Sequence, residues 1–245
     1  EMTLTWTTVG GQCNGSTAVI TVEFNQPSTA TDLNAYTMDT ESWVWGGLTS
    51  SDYTTASNWY KYDGSKWLRQ TTATPGASDK IYILGNTNAG LCVHATHDVS
   101  VASGSAMTDF MVASGATADL SGSITVTGDI TNDGTVNCGT SSLTMSGTSD
   151  QTISGNATSL YNITVNKSSG NLIMSTPVTV TGTLTMTSGD IVNSQPITIG
   201  TSDDVTGDIN HTSGAVTGQM KRFFSSSTGS KFFPVGIAGT ERGVT

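Results

Sequence analysis

Between about Asp79 and Thr217 the chain is a succession of short runs in which apolar and polar residues alternate. Examples are Ile124-Thr125-Val126-Thr127, Leu143-Thr144-Met145, Ile163-Thr164-Val165, Val178-Thr179-Val180, Leu184-Thr185-Met186 and Ile197-Thr198-Ile199. Alternation puts every second side chain on one face, the period of a strand with one buried side. Gly, Asn, Asp and Ser interrupt the runs every few residues, and no convincing helical period appears. Strands this short gain order by stacking, because each rung hydrogen-bonds to its neighbours and needs few residues inside. The runs also repeat. Phe110-Met111-Val112 precedes Ile163-Thr164-Val165 by about 53 positions, while Ile124 precedes Val178, and Ile130 precedes Leu184, by about 54. With a coil of roughly 20–25 residues, that offset spans two or more coils. The expectation is an all-β chain built on a parallel β-helix or closely related β-solenoid. An array of β-sandwiches is the alternative, since regular short strands also signal sandwiches.

The flanks read differently. Leu4-Thr5-Trp6-Thr7 and Ala18-Val19-Ile20-Thr21-Val22-Glu23-Phe24 are strand-like, with a Gly-rich turn around Cys13 between them. Residues 27–41 read as a linker. Residues 42–84 hold most of the aromatics: Trp43, Trp45, Tyr53, Trp59, Tyr60, Tyr62, Trp67 and Tyr82. A solenoid must close its first rung, and large rings cover much area per residue. This segment is therefore expected to be the cap of a solenoid spanning residues 42–217. Residues 218–245 carry Lys221-Arg222-Phe223-Phe224 and then Phe233-Pro234-Val235-Gly236.

Composition narrows function more than fold. Charged residues are 11% of the chain, net charge is −10, and the nine Lys and Arg form no patch. Nucleic-acid binding is not expected, because neutralising phosphates takes clustered basic side chains. No stretch approaches the roughly 18 apolar residues of a membrane span. The three cysteines, Cys13, Cys92 and Cys138, leave at least one unpaired within the chain, and the sequence does not say which pair.

Three stretches resemble parts of large secreted proteins of Bacteroidota. The first strand pair is similar to the last two strands of an Ig-like module, over about 25 residues. Trp45-Gly46, Ser57-Asn58-Trp59 and Pro75-Gly76-Ala77-Ser78-Asp79 resemble the opening of the solenoid domains in those proteins. Asp52-Tyr53 stands where that family often has Asp-Trp. Phe233-Pro234-Val235-Gly236 resembles the strand that opens the next β-sandwich in proteins exported by the type IX system. The resemblance implies an order of Ig-like tail (1–26), linker (27–41), solenoid (42–217) and start of a following sandwich (218–245). It also implies a segment of something longer, an extracellular, cell-surface location, and other modules of the same protein as partners. Self-assembly through strand edges and contact with surface glycans are further partner expectations.

Candidate chemistry is sparse. Cys92, His94 and His97 have metal-capable side chains at close spacing, but a structural zinc site needs four ligands and the chain has one other histidine, His211. Chance clustering in a turn is the preferred reading. No cofactor is expected. Asp129, Asp133, Asp203, Asp204 and Asp208 would be calcium ligands if the fold gathered them, although turn aspartates ordinarily bond their own backbone. Paired acids or a basic groove would mark a polysaccharide-acting enzyme. Glutamate is nearly absent from the solenoid, and between residues 79 and 217 Lys80 and Lys167 are the only Lys or Arg, so no enzyme is expected. Thr183-Leu184-Thr185-Met186-Thr187 resembles the Thr ranks of ice-binding solenoids, with ranks read as irregular in length. Thr also simply favours strands. Trp43, Trp45, Trp59 and Trp67 would form a sugar platform if exposed, with a buried cap as the preferred reading. The leading functional expectation is a non-catalytic stalk or adhesin segment; glycan binding is the alternative.

Overall fold

The computed structural model describes residues 38–65, 67–84, 98–225, 229–237 and 240–244. The chain opens with β1 (Ser42–Trp45), β2 (Trp59–Tyr62) and β3 (Trp67–Arg69), followed by β4 (Lys80–Ile83), β5 (Val99–Val101) and β6 (Ala106–Met107). Then come β7 (Phe110–Val112), β8 (Thr117–Leu120), β9 (Ser123–Val126), β10 (Ile130–Asn132), β11 (Thr135–Asn137) and β12 (Ser142–Gly147). The next two coils hold β13 (Gln151–Gly155), β14 (Thr158–Leu160), β15 (Asn162–Lys167), β16 (Leu172–Met174), β17 (Val178–Val180) and β18 (Thr183–Ser188). The stack ends with β19 (Ile191–Ile199), β20 (Asp208–His211) and β21 (Val216–Arg222), beyond which lie β22 (Gly236–Ile237) and β23 (Thr240–Glu241).

From β4 to β21 the strands pair in parallel with their counterparts one coil away, giving a β-solenoid of about six turns with three faces, and β22 and β23 pair antiparallel beyond it. Face 1 holds β4, β7, β10, β13, β16 and the first halves of β19 and β21. Face 2 holds β5, β8 and β11, then β14, β17 and the second halves of β19 and β21. Face 3 holds β6, β9, β12, β15, β18 and β20. Alternation turns one column of each strand inward. On face 3 the inner columns are Ile124–Leu143–Ile163–Leu184 and Val126–Met145–Val165–Met186. All eight are buried in one continuous core.

Stacked residues are 19 apart at Ile124↔Leu143 and 25 apart at Leu184↔Ile209, so coil length varies in the turns. The offset of 53–54 positions is therefore not a stacking distance. Phe110 lies on face 1 and Ile163 on face 3, while Ile124 lies on face 3 and Val178 on face 2. Every face reads in–out–in, so the sequence matches itself equally well when slid by one face.

β1 extends face 1 in parallel beyond β4, and β2 and β3 then fold back antiparallel. The parallel stack also passes residue 217. β21 straddles the expected boundary at 217/218 and pairs with β19 through Arg222. Residues 1–37, which include the Ig-like strands and most of the linker, lie outside the described residues.

Candidate functional site

The cap is made by local chemistry. Asn58 is buried at the end of a single 3-10 turn. Its Oδ1 accepts from the Thr49 backbone N–H and hydroxyl, both at 2.8 Å, and its Nδ2 donates to the Asp52 carbonyl at 3.0 Å. This fixes the loop that delivers Tyr53 onto Trp59. The Trp59 ring lies edge-on to Trp45 at 5.0 Å and to Tyr53 at 4.9 Å, and its Nε1 donates to the Tyr53 carbonyl at 2.7 Å. Burial pushes the Tyr53 hydroxyl far above the usual tyrosine range. Trp45 and Trp59 are 0% exposed, Trp43 2% and Trp67 6%. The sugar-platform reading of these four rings meets a geometric obstacle, since a ring must offer a face to stack on a pyranose. Trp43, Trp45 and Trp59 plug the interior, and Trp67 covers Val44, Tyr82 and Met111 on the outside of face 1. Beside them an open groove of about 530 Å³ is lined by Lys61, Tyr62, Leu68 and Gln70 among others. Its one aromatic, Tyr62, is tilted against Trp67 at 5.1 Å.

Cys92, His94 and His97 lie outside the described residues. Cys138 is buried and unpaired, and burial pushes its thiol up to about 11. The five candidate calcium ligands are distributed along the stack. Asp208 pairs with Arg222 at 2.9 Å, Asp203 and Asp204 sit in one exposed turn, and Asp133 is exposed at a corner. Among the described residues no three His, Cys, Asp or Glu side chains come together as a metal-holding group.

Asp129 belongs to a motif that the sequence reading missed. Where the chain turns from face 3 to face 1, an aspartate takes a backbone N–H from the next coil. Asp109 Oδ1 accepts from Asp129 N at 2.9 Å, Asp129 from Thr152 N at 2.8 Å, Asp150 from Asn171 N at 2.7 Å, and Asp190 from Ala215 N at 2.9 Å. The signal was present as Asp or Asn directly before strand after strand. The register shifts by two residues in the middle, where Gln151 enters the corner. Gln151, fully buried, donates from Nε2 to the carbonyls of Val126 at 3.1 Å and Gly128 at 2.6 Å. Its Oε1 accepts from Lys167 Nζ at 2.9 Å, and Nζ also donates to the Ser149 carbonyl at 2.7 Å. Lys167 is 2% exposed. Burial pulls its ammonium below the usual lysine range, and the charges of Asp150 and Asp129 act against that. The group is a fastener between coils: Gln151 and Lys167 bond each other and three backbone carbonyls around the corner.

The outer side of face 3 is the most regular surface of the stack. Its middle column runs Ala106–Thr125–Thr144–Thr164–Thr185–Asn210 in unbroken register. On one side Ser123, Ser142 and Asn162 align, and on the other Ser146, Asn166 and Ser188. Register aligns one Thr per strand in the middle column, while the ranks stay uneven in length as read from the sequence, with one outward Thr in β12 and β15 and three in β18; the one bulge falls between Val165 and Asn166. Asn162 Nδ2 donates to Ser142 Oγ at 3.1 Å, and its Oδ1 takes the Thr183 N–H at 2.8 Å. No family profile, curated protein or solved structure matches this chain.

Proposed function

We propose that this chain is a non-catalytic spacer segment of a bacterial cell-surface protein, a stalk that holds other modules at a distance. The observation that carries the reading is the continuity of the stack. One core runs from Trp43 to Val216 without a break, and every parallel pairing joins neighbouring coils. Such a body transmits load through backbone ladders and gains about 4.8 Å of length per coil. Low charge and a Ser-, Thr- and Gly-rich exterior suit an exposed surface protein, and the aspartate corners add hydrogen bonds between coils without enlarging the core. The resemblance to type IX-exported proteins supports an extracellular location.

Protease shaving of intact producing cells, followed by peptide mass spectrometry, tests location. Release of solenoid peptides from unbroken cells is the expected result; protection until lysis would overturn the surface assignment. Incubation with a polysaccharide panel tests the non-catalytic part, which turnover of any member would overturn.

A further inference from the structure

We infer that the outer side of face 3 is an ice-binding surface. Three features of that face lead there, none of which depends on the stalk reading.

The first is charge. From β9 to β18 the outward positions are Ser123 and Thr125, Ser142, Thr144 and Ser146, Asn162, Thr164 and Asn166, then Thr183, Thr185 and Thr187. All are neutral. Lys167 is on β15, but alternation turns it inward to Gln151. The equivalent outward columns elsewhere are not like this. Within its stack face 2 carries Asp119 beside Asn137, while face 1 carries Ile173 and Val192 and is covered at Met111 by Trp67. On β20 the same face carries Asp208, in register with Thr183 and held by Arg222 at 2.9 Å; the strands from β9 to β18 carry no outward charge, and so do not select ions, phosphates or acidic polymers.

The second is that the middle hydroxyls are uncommitted. Among the described residues, no hydrogen bond joins the Thr125, Thr144, Thr164 or Thr185 hydroxyl to another protein group, although their neighbours Asn162 and Ser142 are bonded to each other. Each hydroxyl is both donor and acceptor and turns freely to suit its partner, and each stands beside a methyl group. A partner must therefore offer both donors and acceptors everywhere, as ordered water does.

The third is repeat. Parallel strands set the rows about 4.8 Å apart, and residues two apart along a strand stand roughly 6.6 Å apart. The row spacing is close to the oxygen repeat along the a axis of hexagonal ice. β-Branched threonine is stiff at χ1, so the hydroxyls hold this spacing at small entropic cost. A sugar-polymer surface would have the same kind of repeat but is ordinarily met by exposed aromatic rings. None stands within these columns; Tyr161, 38% exposed, is at their rim.

The test is incorporation of the fluorescently labelled protein into a slowly growing ice hemisphere, together with thermal hysteresis. The panel is the wild type, Thr144→Tyr, Thr164→Tyr, and Thr179→Tyr on face 2 as a control. Unchanged circular dichroism and urea midpoints establish that each variant is folded. The wild type and Thr179→Tyr are expected to enter the ice and give hysteresis, and both face 3 variants to lose both properties. Exclusion of the wild type from ice overturns the inference while leaving the stalk reading intact. Retention of full incorporation by Thr144→Tyr and Thr164→Tyr, or equal loss in Thr179→Tyr, overturns the assignment to face 3. Co-sedimentation with microcrystalline cellulose combined with exclusion from ice would move the partner to a sugar polymer and overturn it as well.

Discussion

Substituting Gln151 by leucine keeps the volume and removes the amide from the corner network. Three things change at once. The Val126 and Gly128 carbonyls lose their Nε2 donors, and the Lys167 ammonium keeps only the Ser149 carbonyl. An orphaned buried polar group costs about 1–3 kcal/mol, and breaking up a buried charged arrangement costs about 3–5 kcal/mol. The costs overlap, so we expect a loss of about 3–5 kcal/mol for Gln151→Leu. With a urea slope near 3 kcal/mol per M, the midpoint falls by about 1–1.7 M. A stack of coils need not unfold in one step, so two probes are required: circular dichroism for the whole stack and tryptophan fluorescence for the cap. The double variant Gln151→Leu/Lys167→Met is the sharper arm. It removes the stranded ammonium, and exchanging a buried polar pair for apolar residues of similar size is often close to neutral. It should be more stable than Gln151→Leu alone. A midpoint shift below about 0.3 M for the single variant, under about 1 kcal/mol at that slope, would refute the fastener argument. So would a double variant less stable than the single.

Three further outcomes are expected. Asp150→Ala orphans the Asn171 N–H and should cost about 1–3 kcal/mol, with faster amide exchange at Asn171, whereas Asp150→Asn keeps an acceptor and should cost less; equal losses would count against the aspartate rungs. Lys80 Nζ meets Asp39 Oδ2 at 2.5 Å, a bond that lowers the Asp39 carboxyl and raises the Lys80 ammonium from their usual values. The depressed Asp39 gives stability that is present above about pH 4 and lost below it, and the raised Lys80 gives stability that is present below about pH 10 and lost above it. The pair is partly exposed, so its contribution is at most about 1 kcal/mol, and a stability–pH profile of Lys80→Met should be flatter than wild type at both margins. Cys138, buried and with its thiol pushed up to about 11, should resist alkylation at pH 8 until urea unfolds the stack, as read by site-resolved mass spectrometry.

The fold was legible because each strand repeats the simplest pattern there is. Ile163-Thr164-Val165 states its own inward and outward sides, whereas the Asp or Asn before most face 1 strands shows its role only once the coils are stacked. The same simplicity hid the stacking. Phe110 and Ile163 look equivalent because both begin an in–out–in run, yet they stand on different faces. The face is decided by turn length, and turns such as Leu120 to Ser123 and Ile199 to Asp208 vary without changing the strands they join. Lys167 was legible in part. Counting two onward from Val165 puts it inside, but its partner Gln151 lies one coil away, and no local pattern names that. The tryptophans could be assigned to a cap by their density alone. Their packing around Trp59 follows from Asn58 and Tyr53, which the sequence singled out by resemblance without naming the groups they bond.

The two ends of the stack are sealed by different chemistry, and this bears on which surface is left for partners. The inner column that begins at Trp43 passes through Ile81, Phe110, Ile130, Ile153 and Met174 to Asn193. The one that begins at Leu160 passes through Val180 and Ile199 to Arg222. One end is thus closed by rings and the other by polar groups, with Arg222 donating to the Phe232 carbonyl at 3.0 Å and to Asp208 at 2.9 Å. Pairing also changes at both ends. β2 folds back antiparallel on β1, and beyond the Val216↔Val235 bridge Phe233 pairs antiparallel with Val244. An antiparallel return needs only a short turn, whereas another parallel rung needs a whole coil. Each end therefore covers part of its own edge, which lowers the tendency of copies to add end to end. Long contacts are left to the sides. Face 1 is covered by Trp67 near the cap and face 2 carries Asp119 within its stack, whereas face 3 holds four threonines in unbroken register before its one outward charge, Asp208 on β20, so it is the side that the architecture leaves open.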